Sequence, residues 1–313
     1  MPGRRATAAW HDGGVTPLGR DELDAKVANL ETILRDLGSV VVAFSGGADS
    51  AFVAAVAHRV LGRERAHAVT AVSPSLAGEE ERECRALADE WTLRWTPVDT
   101  AEMERAAYRA NDVDRCYHCK AELMDVVGPI AEAERATVVL GVNVDDLADH
   151  RPGQRAAIER GAVFPLVLAG FTKADVRETS RRMGLRTWDK PAAACLASRV
   201  PYGTAVTVEI LSRVDRAEAA LHQLGFRQVR VRHYGEIARL EVDEAELARA
   251  VSARHTVIQA VKNAGYRYVT LDLEGFRSGN LNPVATPDPS SSASISSEES
   301  SGGRPEPFDS RPS

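Results

Sequence analysis

The run Val40-Val41-Val42-Ala43-Phe44-Ser45-Gly46-Gly47-Ala48-Asp49-Ser50 decides how the chain is read. Its first five residues are continuously apolar, which suits a strand buried on both faces. Residues 51–61, closed by Gly62, read as the helix that follows. Between strand and helix, Gly46 and Gly47 allow a tight turn and a close backbone approach to a ligand. The helix N-terminus behind them offers unpaired N–H groups and the positive end of a dipole. Ser45 and Ser50 add hydroxyls. Ser45, Gly46, Gly47, Asp49 and Ser50 are therefore expected to cradle the pyrophosphate part of ATP. A carboxylate gains nothing from a phosphate, so Asp49 is assigned to Mg²⁺ or to orienting the loop. No Gly-Lys-Ser/Thr ending follows, so this is not a Walker A loop, nor is it the dinucleotide glycine fingerprint. An ordinary glycine-rich turn would match five fixed positions in about one of a few thousand chains of this size.

Outward from this run the pattern alternates. Residues 66–72 and 93–98 read as strands around a helix at 76–91. A helix at 117–130 precedes a short strand at 137–140. Thr172 caps a helix running to about Met183, with Gly184 beyond its end. Such alternation implies a parallel sheet with helices on both faces. After Pro201 the pattern changes to a helix at 207–224, strands at 226–234 and 237–242, a helix at 255–263 and a strand at 266–271. The fold class expected is α/β: a parallel-sheet nucleotide domain at 21–195, then a small α+β C-terminal domain at 196–280 for substrate or oligomerisation. Lys190-Pro191 and Val200-Pro201-Tyr202-Gly203 break both periods at the joint. Residues 1–20 read as a mobile arm, and the Ser/Pro-rich tail at 283–313 as disordered.

The bulk numbers agree with a soluble globular enzyme: 313 residues, 44% hydrophobic and 27% charged. A net charge of −6 argues against a nucleic-acid partner. No apolar run approaches 18 residues, so no membrane span is expected, and without a secretory signal the cytoplasm is the expected location. Four cysteines in a chain this long form no disulfide scaffold.

Cys84 reads as a small, semi-buried hydrophobe. Cys116-Tyr117-His118-Cys119 fits a redox pair, half of a metal site or a structural element. Cys195 has Arg199 four places on, and a nearby cation raises the thiolate fraction a nucleophile needs. A packed cysteine at a domain joint fits the spacing equally. Asn143, Asp145 and Asp146 lie just past a strand end, where ligands bind in open α/β sheets; the aspartates read as Mg²⁺ or substrate-loop groups, or as a capped turn. Arg230 and Arg232 share one strand face and suit a phosphate, or form an ordinary exposed face. Glu218 is a site residue or an exposed helix glutamate. His118, His150 and His233 have no metal-motif spacing.

Ser-Gly-Gly-x-Asp-Ser after the first strand resembles the PP-loop of the adenine nucleotide alpha-hydrolase superfamily, Rossmann-like enzymes that cleave ATP to AMP and pyrophosphate. Three further segments sharpen the likeness: Arg115-Cys116-Tyr117-His118-Cys119-Lys120; Gly141-Val142-Asn143-Val144-Asp145-Asp146 with Arg151-Pro152-Gly153; and the stretch from Cys195 through Gly203. Together, over residues 20–275, they resemble the LarE family of ATP-dependent sacrificial sulfur transferases.

The resemblance implies a pyridinium dicarboxylate mononucleotide as substrate, on the route to a nickel-pincer nucleotide cofactor. ATP with Mg²⁺ adenylates a ring carboxylate, and the thiolate of Cys195 attacks the acyl-adenylate. Elimination then leaves a thiocarboxylate, with dehydroalanine in the protein. It further implies that Arg230 and Arg232 hold the substrate phosphate, with Ser198 and Arg199 nearby and Glu218 as a further substrate-site residue, and that the chain assembles with copies of itself. Some members carry three cysteines holding a [4Fe-4S] cluster that passes on a bound sulfide. Cys116, Cys119 and Cys195 match such a set, and the C-x-x-C leans the reading toward it. Residues 45–50, Cys195, Arg230 and Arg232 are expected to meet in one cleft. The rivals are an amide-forming synthetase, a tRNA thiolase and a non-catalytic ATP-binding module.

Overall fold

A computed structural model describes residues 20–148 and 152–277. The arm expected at 1–20, save its last residue, and the tail at 283–313 lie outside the described residues, as do Arg151 and His150. The two sheets described below fall within one compact unit that ends at Ser278.

Strand β1 (Val40–Ala43) lies inside a four-stranded parallel sheet of order β3-β2-β1-β4, with β2 (Ala66–Val72), β3 (Arg94–Asp99) and β4 (Thr137–Leu140). Alternation along β1 divides its valines between two cores. Val40 and Val42 pack with α1 (Arg20–Leu37) and α2 (Ala48–Leu61). Val41 packs with Met124 and Val127 of α5 (Arg115–Ala133) on the opposite face. A strand covered on both sides must be apolar throughout, which is why its sequence carries no polar alternation.

The connections β1–α2–β2 and β2–α3–β3, with α3 at Gly78–Glu90, run outward from β1. The chain then returns past β1 to lay down β4 on its other side. The strand order thus reverses between β1 and β4, and a crevice opens at their carboxyl ends, where such sheets bind ligands. Beyond β4, Val163 adds a single parallel bridge to Val139. Helix α8 (Lys173–Arg182) starts in a capping box between Thr172 and Asp175, as its sequence predicts.

The second sheet is three-stranded and mixed. β5 (Val229–Tyr234) pairs antiparallel with β6 (Ile237–Val242), and β6 pairs parallel with β7 (Tyr268–Leu271). Val229 and Val231 turn toward α9 (Val208–Gln223) and α11 (Arg254–Asn263), where Ala217, Leu221, Val257 and Val261 complete the core.

The sequence-based elements hold with shifted ends. The helix expected at 76–91 begins at Gly78, and the strand expected from 226 begins at Val229, because Phe226 sits in the turn after α9. Helix α1 was not anticipated. It buries Leu23, Leu30 and Leu34 and half-buries Val27 against the first core. Short helices α4 (Ala106–Ala110), α6 (Pro152–Ile158), α7 (Pro165–Leu168) and α10 (Leu247–Ser252) fill connections the sequence left open. No helix among the described residues is long and apolar enough to cross a membrane.

Candidate active site

The loop at 45–50 turns through Gly46 at φ +69°, a conformation that favours glycine. Ser50 ties it together: its Oγ donates to the Gly47 carbonyl at 3.1 Å and lies 3.1 Å from Ser45 Oγ. Gly141, at the end of β4, abuts the first turn of α2. A Cβ there would stand 2.6 Å from the Ser50 nitrogen, so only glycine lets β4 end beside the loop. Beneath the loop lies Cys84. It is wholly buried, burial pushes its thiol up to about 11, and a Cβ on Gly46 would meet its Sγ at 2.9 Å.

Ser45, Gly47, Asp49 and Ser50 line a cavity of about 540 Å³, and Cys119 and Cys195 line it too. Gly46 is the exception among the expected loop residues. Its carbonyl instead accepts a hydrogen bond from Lys190 Nζ at 3.1 Å, and the same ammonium pairs with Glu80 at 2.7 Å. The lysine absent from the loop sequence therefore arrives from elsewhere, five residues before Cys195. Arg177 donates to the Trp188 and Lys190 carbonyls at 3.3 and 3.0 Å and so fastens that segment.

Two carboxylates also meet at this cavity. Asp49 accepts from Asn143 Nδ2 at 3.1 Å. Its pKa is raised, first by burial and further by Asp146, while the Asn143 hydrogen bond opposes. Asp146 is buried, receives the Asn143 N–H at 3.3 Å, pairs with Lys173 at 3.0 Å and lines the cavity. One or two carboxylates beside substrate phosphates are what Mg²⁺ uses, so Asp49 and Asp146 fit it. Asp145 does not join them. It is exposed and accepts the Lys173 backbone N–H at 2.7 Å, holding the start of α8.

Cys195 precedes a 3₁₀ turn (Leu196–Arg199) and is held by the N–H of Leu196, which donates to the Ser75 carbonyl at 2.9 Å. Arg199 has the Cys195 thiol among its electrostatic neighbours, as its spacing suggested, but behind Glu218. Its guanidinium binds the Ala194 and Cys195 carbonyls at 2.6 and 3.2 Å and forms a bidentate buried pair with Glu218. A second cation has the thiol as its foremost charged neighbour. Arg115 is buried, donates to the Ala197 carbonyl at 2.9 Å, and interacts most strongly with Cys195 and then Cys116.

The three-cysteine set is not gathered. Cys119 is beside Cys195, and burial and that neighbour push its thiol up to about 12. Cys116 is exposed and lines no part of the cavity. Among the described residues no group of three or more His, Cys, Asp or Glu side chains is placed to hold a metal ion. A [4Fe-4S] cluster does not fit this arrangement, and no step is derived through one.

Of the two arginines expected in the same cleft, only Arg230 lines a cavity, and it is the neighbouring one. Arg199 and Arg230 border a second cavity of about 650 Å³, and residues 190–193 wall both. Arg232 lines neither. It is buried and spends its guanidinium on Glu241 at 2.7 Å and the Ser198 carbonyl at 2.8 Å. The alternation of β5 does put Arg230 and Arg232 on one face, but that face packs on the segment at 192–198 rather than facing solvent. Glu218, expected as a site or surface residue, is a buried hub for Arg199 and the Val231 N–H. Arg230 contacts the Ala192 carbonyl at 3.4 Å and the Phe276 ring at 4.8 Å. Burial, then Arg199 and Arg232, lower its pKa to about 10.

Sequence reasoning missed Lys190 and Glu102, because neither stands near the residues it serves. Glu102 begins a short 3₁₀ turn, is buried, and lines the first cavity.

Comparison with known proteins adds three findings. The NAD synthase family model matches residues 23–123. The chain is 39% identical over 84% of its length to pyridinium-3,5-bisthiocarboxylic acid mononucleotide synthase of Lactiplantibacillus plantarum, covering 96% of that protein. It is also 46% identical, over 84% of its length and 99% of the relative, to an uncharacterized protein of Synechocystis sp..

Proposed function

The chain belongs to the LarE family of PP-loop proteins, and we propose that it adenylates a carboxylate of a pyridinium dicarboxylate mononucleotide and replaces the adenylate with sulfur drawn from Cys195. One observation carries this reading: the PP-loop and Cys195 line a single cavity. A product formed at the loop can meet the thiol without leaving, and reacting atoms must come within about 3–3.5 Å.

In this reading Ser45, Gly47 and Ser50 hold the pyrophosphate end of ATP at the N-terminus of α2. Lys190, Lys173 and Arg177 supply cations around it. Mg²⁺, held by Asp49 and Asp146, would neutralise the phosphates when bound. The substrate carboxylate displaces pyrophosphate, Cys195 displaces AMP to form a thioester, and cleavage of the Cys195 Cβ–Sγ bond leaves the thiocarboxylate. Arg115 places a fixed positive charge near the Cys195 sulfur. Arg230, bordering the adjoining cavity, suits the substrate phosphate. The relative from Lactiplantibacillus plantarum supports this substrate class, and the same reading places the chain in nickel-pincer cofactor synthesis.

The test is to weigh the protein before and after turnover with ATP and the mononucleotide while following pyrophosphate. Wild type is expected to release pyrophosphate and lose about 34 Da (one H₂S) at Cys195. Cys195→Ser is expected to release pyrophosphate without yielding thiocarboxylate. A Cys195→Ser variant that still makes product would overturn the reading, and an unchanged yield of amide would favour a synthetase instead.

A further inference from the structure

Glu102 is a carboxylate at 2% exposure, and among the described residues no lysine, arginine or histidine pairs with it. A buried, unpaired charge is expensive unless hydroxyls or amides satisfy it. The donors are the hydroxyls of Ser73 and Ser75, both directed at the same oxygen, Oε1. Tyr108, itself wholly buried, donates its O–H to Ser75 Oγ at 3.0 Å. The hydroxyl bonds from Tyr108 through Ser75 therefore run toward Glu102.

The far end of this hydroxyl chain packs beside the nucleophile without a hydrogen bond to it in this structure. Tyr108 packs in one cluster with Cys195 and Cys119, and Cys195 is the strongest charged neighbour of its hydroxyl. Ser75 anchors both ends, since its hydroxyl joins the chain and its carbonyl holds the Leu196 N–H at 2.9 Å. Of the groups packed nearest Cys195, the two guanidiniums and the second thiol cannot take its proton. Arg115 and Arg199 are guanidinium groups with no acceptor atom. The Cys119 thiol is held protonated, pushed up to about 12. Among the described residues no histidine lines the cavity.

Resting on Cys195 as the sulfur nucleophile, we propose that Glu102 is the terminal acceptor of the Cys195 thiol proton, relayed through the hydroxyls of Tyr108 and Ser75. As Sγ bonds to the acyl carbon, the S–H bond breaks and its proton passes to the Tyr108 oxygen. The Tyr108 proton moves to Ser75, and the Ser75 proton to Glu102 Oε1. The acyl–oxygen bond breaks and its electron pair leaves with AMP. One thiol proton is lost, one carboxylic acid is formed, and neither hydroxyl carries a net charge. Burial keeps the Tyr108 phenol protonated, well above its ordinary range, so it conducts the proton without becoming an anion itself.

The test needs neither ATP nor substrate, so it stands apart from the functional reading above. The full chain, fully reduced, is alkylated with iodoacetamide from pH 6 to 10, and modification of Cys195 is resolved by peptide mass. Glu102→Gln and Tyr108→Phe are expected to slow alkylation at least about tenfold near pH 6.5 and to match wild type near pH 10, where hydroxide is abundant enough to take the proton directly. A purely electrostatic or structural Glu102 predicts the opposite sign, because removing a nearby negative charge makes the thiol easier to ionise. Glu102→Gln reacting as fast as wild type, or faster, at pH 6.5 overturns the relay. Should that variant fail to fold, Tyr108→Phe keeps Glu102 with both serines and decides alone.

Discussion

The two cavities share the wall at 190–193, yet they treat charge in opposite ways. Around the arginines the charges are closed internally: Arg199 on Glu218, Arg232 on Glu241, with Arg239 also on Glu241. Only Arg230 in that group has no carboxylate partner among the described residues, and it rests on a carbonyl and a phenyl ring. The loop cavity is left incomplete. Asp49 is half-buried near a second carboxylate, and Lys190 bridges the loop and Glu80 instead of a fixed buried partner. The contrast separates groups that hold the fold from groups held ready for a ligand. Pairing, more than residue type, draws that line.

The largest effect should come from breaking the closed side. Glu218→Gln leaves Arg199 buried without its anion, which costs about 3–5 kcal/mol. Thermal unfolding should fall by about 10 °C. Arg230→Gln should leave the melting temperature unchanged or raised, since it relieves repulsion from Arg199 and Arg232. Calorimetric titration should show a phosphate-bearing substrate bound about 10- to 100-fold more weakly, the worth of charge-assisted hydrogen bonds. An equal loss of stability in both variants would erase the distinction.

The smallest effect tests the open side. The Asp49 pKa is raised in the fold, so its ionised form is the disfavoured one. That penalty is absent below the unfolded value and grows as pH rises through the folded value. Asp49→Asn should therefore raise the metal-free melting temperature at pH 7 by about 1–3 °C and lose the gain near pH 3. Pyrophosphate release should be abolished in the same variant. A lowered melting temperature at pH 7 would mean that Asp49 is structural.

How much of this was legible follows from where each signal is stored. β1, the loop and the start of α2 sit in eleven consecutive residues, so strand, turn and helix could be read together. Helix α1 spreads Leu23, Val27, Leu30 and Leu34 through a charged stretch, and its stripe is easily passed over. The shared face of Arg230 and Arg232 was readable from period two. Their burial was not, because the covering turn is more than 30 residues away in sequence. Lys190 and Glu102 are harder still: the loop Lys190 serves is 144 residues distant, and the serines on Glu102 are 27 and 29 away. Only folding creates those neighbourhoods.

Cys84 gives the molecule a clock for the breathing of its own loop. Its sulfur is sealed beneath Gly46, and its high pKa keeps it sluggish at neutral pH. A thiol reagent can reach it only when its cover opens, and the loop is part of that cover. The rate of its modification therefore counts those openings, and nucleotide seated above should make them rarer.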